Sequence, residues 1–273
     1  MEKIIVPLDF SEHSEYALQV AASLAKKHNA ELLALHMLEL NHAMISSAEG
    51  MHPEQTVFWI KLAEKRFGEF LDKPYLKGIK ITPIVKHYKV FSEVDEVGKE
   101  HGADLVVMGS HGVDGLKELF VGSNAEKVVR NSEIPVLVVK EEMKGFSIDQ
   151  FVFACDFTEE NIPALEKART FADKMGANLQ LVYINTPGDK FLSTKDAYER
   201  ITAFLAKVNM GVEVDIHNGY SVEQGILEYS DNVGADIIGI PTHGRKGLAH
   251  FFMGSIGEDI ANHSTVPVVT FKI

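Results

Sequence analysis

The sequence predicts an α/β protein built from two tandem domains, each a five-stranded parallel sheet flanked by helices. Short apolar segments alternate with segments of helical period along both halves, which is typical of a parallel sheet covered on both faces. The second half also repeats the first, since residues 102–112 align with 234–244 and residues 4–11 align with 151–158. A repeat of this length indicates two domains in one chain rather than a solenoid.

The first half begins with an apolar strand over residues 3–8, followed by a helix for which Ser11 or Ser14 is the candidate cap. Residues 41–52 have no regular period and are predicted to be an irregular excursion. Pro83 indicates that the third strand lies at an edge or contains a bulge. Beyond the first helix, the predicted strands are 31–38, 79–85, 104–108 and 136–140, and the predicted helices are 54–71, 92–101 and 123–131.

The second half repeats this order after a short polar linker over residues 141–150. Such a short linker favours two domains that touch. We therefore predict domain boundaries at residues 1–141 and 150–273. The predicted strands of the second half are 151–155, 178–184, 212–218, 236–240 and 268–273, and its predicted helices are 161–175, 193–208, 222–232 and 255–263.

The composition favours an acidic cytoplasmic protein. With 39 acidic and 27 basic side chains the formal net charge is −12, so nucleic acid and anionic membranes are not expected partners. Cys155 is the single cysteine, which favours a reducing compartment. No apolar segment approaches the roughly 20 residues that span a bilayer, and no signal peptide is expected at the N-terminus. His36, His42 and His52 lack zinc-site spacing, so no metal site is predicted.

A glycine-rich segment between a predicted strand and a predicted helix is the clearest candidate site. It reads Gly109-x-x-Gly112, then nine residues, then Gly122-Ser123. Glycine permits positive φ and a close approach to a ligand. The backbone N–H groups at residues 122–124 are expected to point at a phosphate, which the helix dipole also favours. Asp9, at the end of the first strand, is expected in the adjacent crevice, where a carboxylate suits ribose hydroxyls.

At this motif the chain resembles the universal stress protein family. The strand ending in Pro7-Leu8-Asp9 and residues 134–139 are similar to the same family, and the features recur in both halves. The resemblance implies a flavodoxin-like, adenine-nucleotide-α-hydrolase-like fold that binds ATP or AMP, with or without Mg²⁺. The adenine and ribose neighbours that it implies are Pro7, Asp9, Leu38 and Met108, and the phosphate neighbours are Gly109, His111, Gly112, Gly122, Ser123 and Asn124.

The resemblance also implies an intrachain pseudo-dimer joined through the last strand of each domain, with a homodimer as a further option. The second copy departs from the motif because Pro241, which has no N–H, replaces the first glycine. Arg245 and Lys246 follow it and would favour phosphate. Nearby positive charge adds little, however, if the loop cannot direct its backbone N–H groups at the phosphate. We therefore expect a weaker second site, with Asp156, His243, Gly244, Gly254 and Ser255 as its candidate residues.

Simpler roles remain open for some of these residues. Asp156 is also a candidate cap for the helix that follows it, and Ser123 and Ser255 are candidate N-caps that need no ligand. The sequence has no G-x-x-x-x-G-K-[ST] loop and no G-x-S-x-G elbow, so no enzyme activity beyond slow, incidental ATP hydrolysis is expected.

The predicted function is a stress-response or regulatory protein that binds an adenine nucleotide in its first domain. Two alternatives stay open at this point. One is an interaction scaffold that has kept the fold and lost the ligand. The other is a binder of a different small phosphorylated or lipid ligand.

Overall fold

The computed structural model describes residues 1–38, 53–87, 90–110, 123–188, 191–242, 260 and 263–273. Contacts between Cα atoms divide the chain into two compact units. Among the described residues, the first unit comprises 1–110, 123–128 and 139–146 with their gaps, and the second comprises 129–138 and the residues from 147 onward.

The first unit has a parallel sheet in the order β3-β2-β1-β4. Helices connect successive strands, as expected for parallel neighbours. The elements in chain order are β1 (Lys3–Leu8), α1 (Glu12–His28), β2 (Glu31–Leu38), α2 (Pro53–Leu71), a 3₁₀ turn (Pro74–Leu76), β3 (Ile81–His87), α3 (Val90–His101) and β4 (Leu105–Gly109).

The start and the end of α1 follow from its sequence. The Ser11 side chain accepts a hydrogen bond from the N–H of Ser14 and caps the helix, which decides between the two candidate serines. Asn29 ends the helix in the left-handed conformation with φ of 53°. Between these ends, the buried face of α1 carries Ala17, Leu18, Ala21 and Leu24 at helical spacing.

The helix α4 (Ser123–Asn131) and the strand β5 (Val136–Val139) complete the first half of the sequence. Most of β5 belongs to the second unit, where it lies antiparallel to the final strand of the chain and Leu137 faces Val269.

The second unit repeats the topology of the first, with strand order β10-β9-β6-β7-β8 and parallel pairing throughout these five strands. Its elements are β6 (Gln150–Ala154), a 3₁₀ turn (Glu159–Asn161), α5 (Ile162–Met175), β7 (Asn178–Asn185), α6 (Thr194–Lys207), β8 (Val214–Asn218), α7 (Val222–Val233), β9 (Ile237–Thr242) and β10 (Val268–Lys272).

The repeated Gly-Ala-Asp sequence has a structural role in both units. Gly102 and Gly234 adopt positive φ just after α3 and α7, where helices commonly end in the left-handed conformation. The carboxylate of Asp104 then accepts hydrogen bonds from the N–H groups of Glu2 and Lys3, at 2.6 and 3.3 Å. Asp236 does the same for residues 149 and 150, at 2.8 Å each. Each aspartate therefore fixes the start of the neighbouring central strand.

The α/β fold class predicted from the sequence is confirmed, and several boundaries differ. The third strand begins at Ile81 rather than residue 79, and Pro83 lies on it at the sheet edge, as predicted. Most of the predicted helix 255–263 and all of the excursion 41–52 lie outside the described residues. The predicted domain boundaries stay a prediction, because the compact units group β5 with the second half.

Candidate functional site

The candidate site lies at the point where the strand order of the sheet reverses, beside β1. The strand β2 follows β1 on one side, and β4 lies on the other. Such a switch point opens a crevice at the carboxyl ends of the strands. Here the pairing of β1 with β2 continues to Leu8, whereas its pairing with β4 ends at Ile5 and Val106. The two strands therefore separate over their last residues.

Pro7 contributes to this separation. It lies in β1 opposite Leu35 of β2, and its nitrogen carries no hydrogen that could bond to β4. Met108 lies near the end of β4 and Leu38 at the end of β2, and both side chains are buried. The structure thus places Pro7, Leu38 and Met108 at the same end of three adjacent strands, and their role as neighbours of a base stays a prediction.

Asp9 follows β1 directly, and its carboxylate is held by the next turn. Its Oδ1 accepts hydrogen bonds from the backbone N–H of Ser11 at 3.0 Å and from the Ser11 hydroxyl at 2.6 Å. The same hydroxyl oxygen caps α1. The half-buried carboxylate is therefore fixed at the mouth of the crevice by hydrogen bonds from the residue that caps α1.

Phe10, which the sequence did not single out, sets the direction of this turn. Its φ of 64° is left-handed, a conformation that costs a bulky residue about 1–2 kcal/mol. The aromatic rings of His36, Phe67 and Phe70 surround it, with ring centroids at 4.5, 5.5 and 5.4 Å. The guanidinium carbon of Arg66 lies 5.8 Å from its ring centroid. This packing compensates for the backbone strain beside Asp9.

His36 joins β1 to β2 at the same place. Its Nδ1 lies 2.7 Å from the carbonyl oxygen of Leu8. Because a carbonyl only accepts hydrogen bonds, Nδ1 is the protonated nitrogen in this contact. The His36 side chain thereby fixes the backbone of Leu8, which immediately precedes Asp9. The sequence of β2 gave no signal for this role, because His36 is a single polar residue within an otherwise apolar segment.

Gly109 ends β4, and its role differs from the expected one. It does not adopt positive φ. A Cβ atom at this position would lie 2.7 Å from the carbonyl oxygen of His13 and 2.8 Å from its carbonyl carbon. Glycine is therefore needed here because the first turn of α1 crosses the end of β4 at backbone contact, which closes one side of the crevice.

The remaining predicted phosphate neighbours are partly described. The helix α4 begins at Ser123, as predicted, and its first turn contains the exposed Asn124 and the half-buried Glu126. His111, Gly112 and Gly122 lie outside the described residues. The structure therefore provides the helix start that the phosphate hypothesis requires, and the loop that leads to it stays a prediction.

The second unit reproduces the turn that follows its first strand. Asp156 follows β6, and its Oδ1 accepts hydrogen bonds from the N–H and hydroxyl of Thr158 at 3.0 and 2.7 Å and from Nδ2 of Asn161 at 2.5 Å. Phe157 repeats the left-handed φ of Phe10, at 54°. Asp156 thus holds the turn after β6, but the N-cap position of the following α-helix is occupied by Asn161, so the candidate role of Asp156 as a helix cap is wrong.

Pro241 occupies the place of Gly109 and pairs with Phe271 inside the ladder of β9 and β10. The chain after Asp156 forms a 3₁₀ turn, and the α-helix starts only at Ile162, whereas α1 starts three residues after Asp9. The proline and the later helix start occur together, as expected if the glycine contact is lost. The other predicted residues of this site, His243, Gly244, Gly254 and Ser255, lie outside the described residues.

Other chemistry is limited in the described part of the chain. It contains no group of three or more histidine, cysteine, aspartate or glutamate side chains positioned to hold a metal ion. Burial raises the pKa of the Cys155 thiol far above its usual value, so this cysteine is unreactive. None of the described helices is both long and apolar enough to cross a membrane.

Comparison with known proteins places this geometry in context. The family model described as "Universal stress protein family" matches residues 1–140 and again residues 148–272. Universal stress protein MJ0531 of Methanocaldococcus jannaschii is 33% identical over 150 residues, which cover 52% of this chain and 84% of that protein. Universal stress protein YxiE of Bacillus subtilis is 34% identical over 145 residues, or 50% of this chain and 98% of the relative.

A solved structure has the same fold over nearly the full length. The crystal structure of a universal stress protein from Archaeoglobus fulgidus superimposes with a TM-score of 0.70 and 23% identity, covering 99% of this chain and 96% of that one. At this identity the similarity extends to the fold alone.

Proposed function

Because the chain belongs to the universal stress protein family, we propose that it is a cytoplasmic stress-response regulator whose first unit binds an adenine nucleotide. The proposed ligand is ATP or AMP, with or without Mg²⁺, and the protein acts by binding rather than by catalysis. Nucleic acid and membranes are not proposed partners, in keeping with the net charge of −12.

The observation that carries this proposal is the crevice between β1 and β4 in the first unit. The strands separate after Ile5 and Val106, and Asp9 is held at the opening by Ser11. A carboxylate fixed in this way is pre-organised to accept hydrogen bonds from vicinal ribose hydroxyls, as in other open α/β sheets. The start of α4 then supplies N–H groups and a helix dipole for phosphate.

The test is the identity of the ligand that accompanies the protein. The chain is purified without added nucleotide and denatured, and the released small molecules are examined by absorbance and mass spectrometry. The apo protein is then titrated calorimetrically with ATP and with AMP. Saturable binding of either nucleotide supports the proposal. A released lipid or a non-adenine phosphate, together with no heat from either nucleotide, would overturn it.

We propose a structural role for the second unit. Asp156 accepts three side-chain or backbone donors from its own turn, and Pro241 replaces the glycine of the close approach. The antiparallel pairing of β5 with β10 supports an intrachain pseudo-dimer joined through the last strands of the two halves. Calorimetric stoichiometry tests this division of roles: one nucleotide per chain is expected, and two per chain would contradict it.

A further inference from the structure

The outer edge of β8 is open in the second unit. This strand is the last in the sheet order and pairs with β7 alone within the described residues. An unpaired edge offers a row of N–H and C=O groups to another strand, and most proteins protect such edges with proline, lysine or a bulge. The corresponding edge strand of the first unit, β3, carries the exposed Pro83 and also Lys86. The β8 sequence Val-Asp-Ile-His-Asn has neither residue type.

Hydrogen bonds to β7 and to α7 hold β8 in place. At its carboxyl end, Nδ2 of Asn185 donates to Oδ1 of Asn218 at 3.3 Å, and the N–H of Gly219 donates to the carbonyl of Asn185 at 3.2 Å. On the face covered by α7, the Tyr229 hydroxyl donates to Asp215. A strand held in this way needs little ordering before it pairs with a partner.

Exposed apolar side chains flank β8. Val212, two residues before the strand, is 36% exposed, and Tyr220, two residues after it, is 87% exposed. These two belong to a small set of large apolar residues with such exposure among the described residues. Tyrosine is enriched at protein interfaces relative to other protein surface, and both side chains are accessible to a strand that pairs with this edge.

We propose that β8 pairs antiparallel with β8 of a second copy of this chain, about a twofold axis at Ile216. In this register Val212 faces Tyr220 of the second copy, and Asp215 faces His217 of the second copy. Asp215 and His217 lie on the same face of the strand, because Tyr229 contacts both of them. The twofold axis repeats each pair, so one register joins two apolar contacts and two pairs of complementary polar groups.

Neighbouring registers lack this complementarity. An axis at Asp215 would oppose the two Asp215 carboxylates, which like-charge repulsion disfavours. An axis at His217 would place Gly219 opposite Asp215, so the Asp215–His217 pair would be lost. Each His217 also keeps Glu228 of its own chain at 3.7 Å between Nε2 and Oε2. The sequence around β8 is therefore self-complementary about Ile216, and this favours a second copy over an unrelated strand.

The first test is the mass of the protein in solution, measured by light scattering and sedimentation from about 1 to about 100 μM. The proposal expects a reversible species of twice the 30.2 kDa chain mass. The double variant Val212→Asp/Tyr220→Asp places carboxylates opposite each other and should be monomeric. The double variant Val212→Lys/Tyr220→Asp restores opposite charges in the same register and should recover the dimer.

A substitution far from β8 serves as the control, and paired cysteines test the register. Phe58 is 60% exposed on α2 of the first unit, so Phe58→Asp should leave dimerisation unchanged. The double variant Val212→Cys/Tyr220→Cys should form an intermolecular disulfide under mild oxidation, whereas Val212→Cys alone should not. A monomeric wild type at the highest concentration would overturn the proposal. So would a dimer that Val212→Asp/Tyr220→Asp leaves intact.

Discussion

A Cβ atom on Gly109 would lie 2.7 Å from the carbonyl oxygen of His13, so α1 and the end of β4 meet through their backbones. Contacts this short do not occur for a real Cβ atom, and the atoms on the other side are main chain rather than a flexible side-chain tip. The close approach positions the first turn of α1, and with it the turn of Asp9 and Ser11, beside the crevice.

Gly109→Ala is therefore expected to destabilise the protein by about 1–3 kcal/mol through overpacking. The free energy of unfolding is measured by denaturant titration. Gly68 is the matched control, because it lies inside α2 and a Cβ atom there would have no described atom within 4 Å apart from its own helix backbone and chain neighbours. Gly68→Ala should stabilise the helix by about 0.5–1 kcal/mol. Equal effects of the two substitutions would contradict the assigned role of Gly109.

His28 predicts a pH dependence of stability. Burial, with the N-terminal amine and Lys27 adding to it, lowers the pKa of His28 below 6.5, and its buried Nε2 has no hydrogen-bond partner among the described residues. The folded state therefore favours the neutral ring. The stability that depends on the neutral ring is present above pH 6.5 and is lost as the pH falls through the folded-state pKa.

The second unit suggests the variant that removes this dependence. Met175 is the buried last residue of α5, as His28 is the last residue of α1. His28→Met is expected to stabilise the protein by about 1 kcal/mol by removing an unpartnered polar atom. The difference in the free energy of unfolding between His28→Met and wild type should increase as the pH falls from 7.5 to about 5.5. A constant difference across this range would contradict the assigned titration.

His36→Phe tests the bond that fixes the residue before Asp9. Phenylalanine keeps a ring against Phe10 but leaves the Leu8 carbonyl without its donor. A loss of about 1–3 kcal/mol in the free energy of unfolding is expected, together with weaker nucleotide binding. Tyr183 beside Phe157 in the second unit is the comparison position. Tyr183→Phe should not change nucleotide affinity, and an equal loss of affinity there would contradict the role given to His36.

Much of the fold follows from the sequence because it depends on local patterns. Short apolar segments located the strands, and Ser11, one of the two candidate serines, caps α1. The repeat also predicted the two-domain organisation, although some of the repeated residues stabilise the fold and are not part of a ligand site. Gly102 and Asp104 recur as Gly234 and Asp236 because each pair ends a helix and fixes a strand start.

The features that the sequence did not reveal depend on long-range contacts. The glycine requirement at residue 109 comes from His13, which lies far away along the chain. Phe10 adopts a left-handed conformation that no propensity would assign to phenylalanine, and rings from β2 and α2 make it tolerable. A pattern within one segment cannot report either effect.

The most direct test of the central claim is calorimetric titration of ATP against wild type, Asp9→Asn and Asp156→Asn. Asparagine keeps an Oδ1 that accepts from Ser11 or Thr158, so both turns should persist while the charge is lost. We expect Asp9→Asn to weaken binding by about tenfold or more, as for the loss of a charge-assisted hydrogen bond, and Asp156→Asn to bind as wild type does. Unchanged affinity in Asp9→Asn, or a loss confined to Asp156→Asn, would contradict a nucleotide site in the first unit.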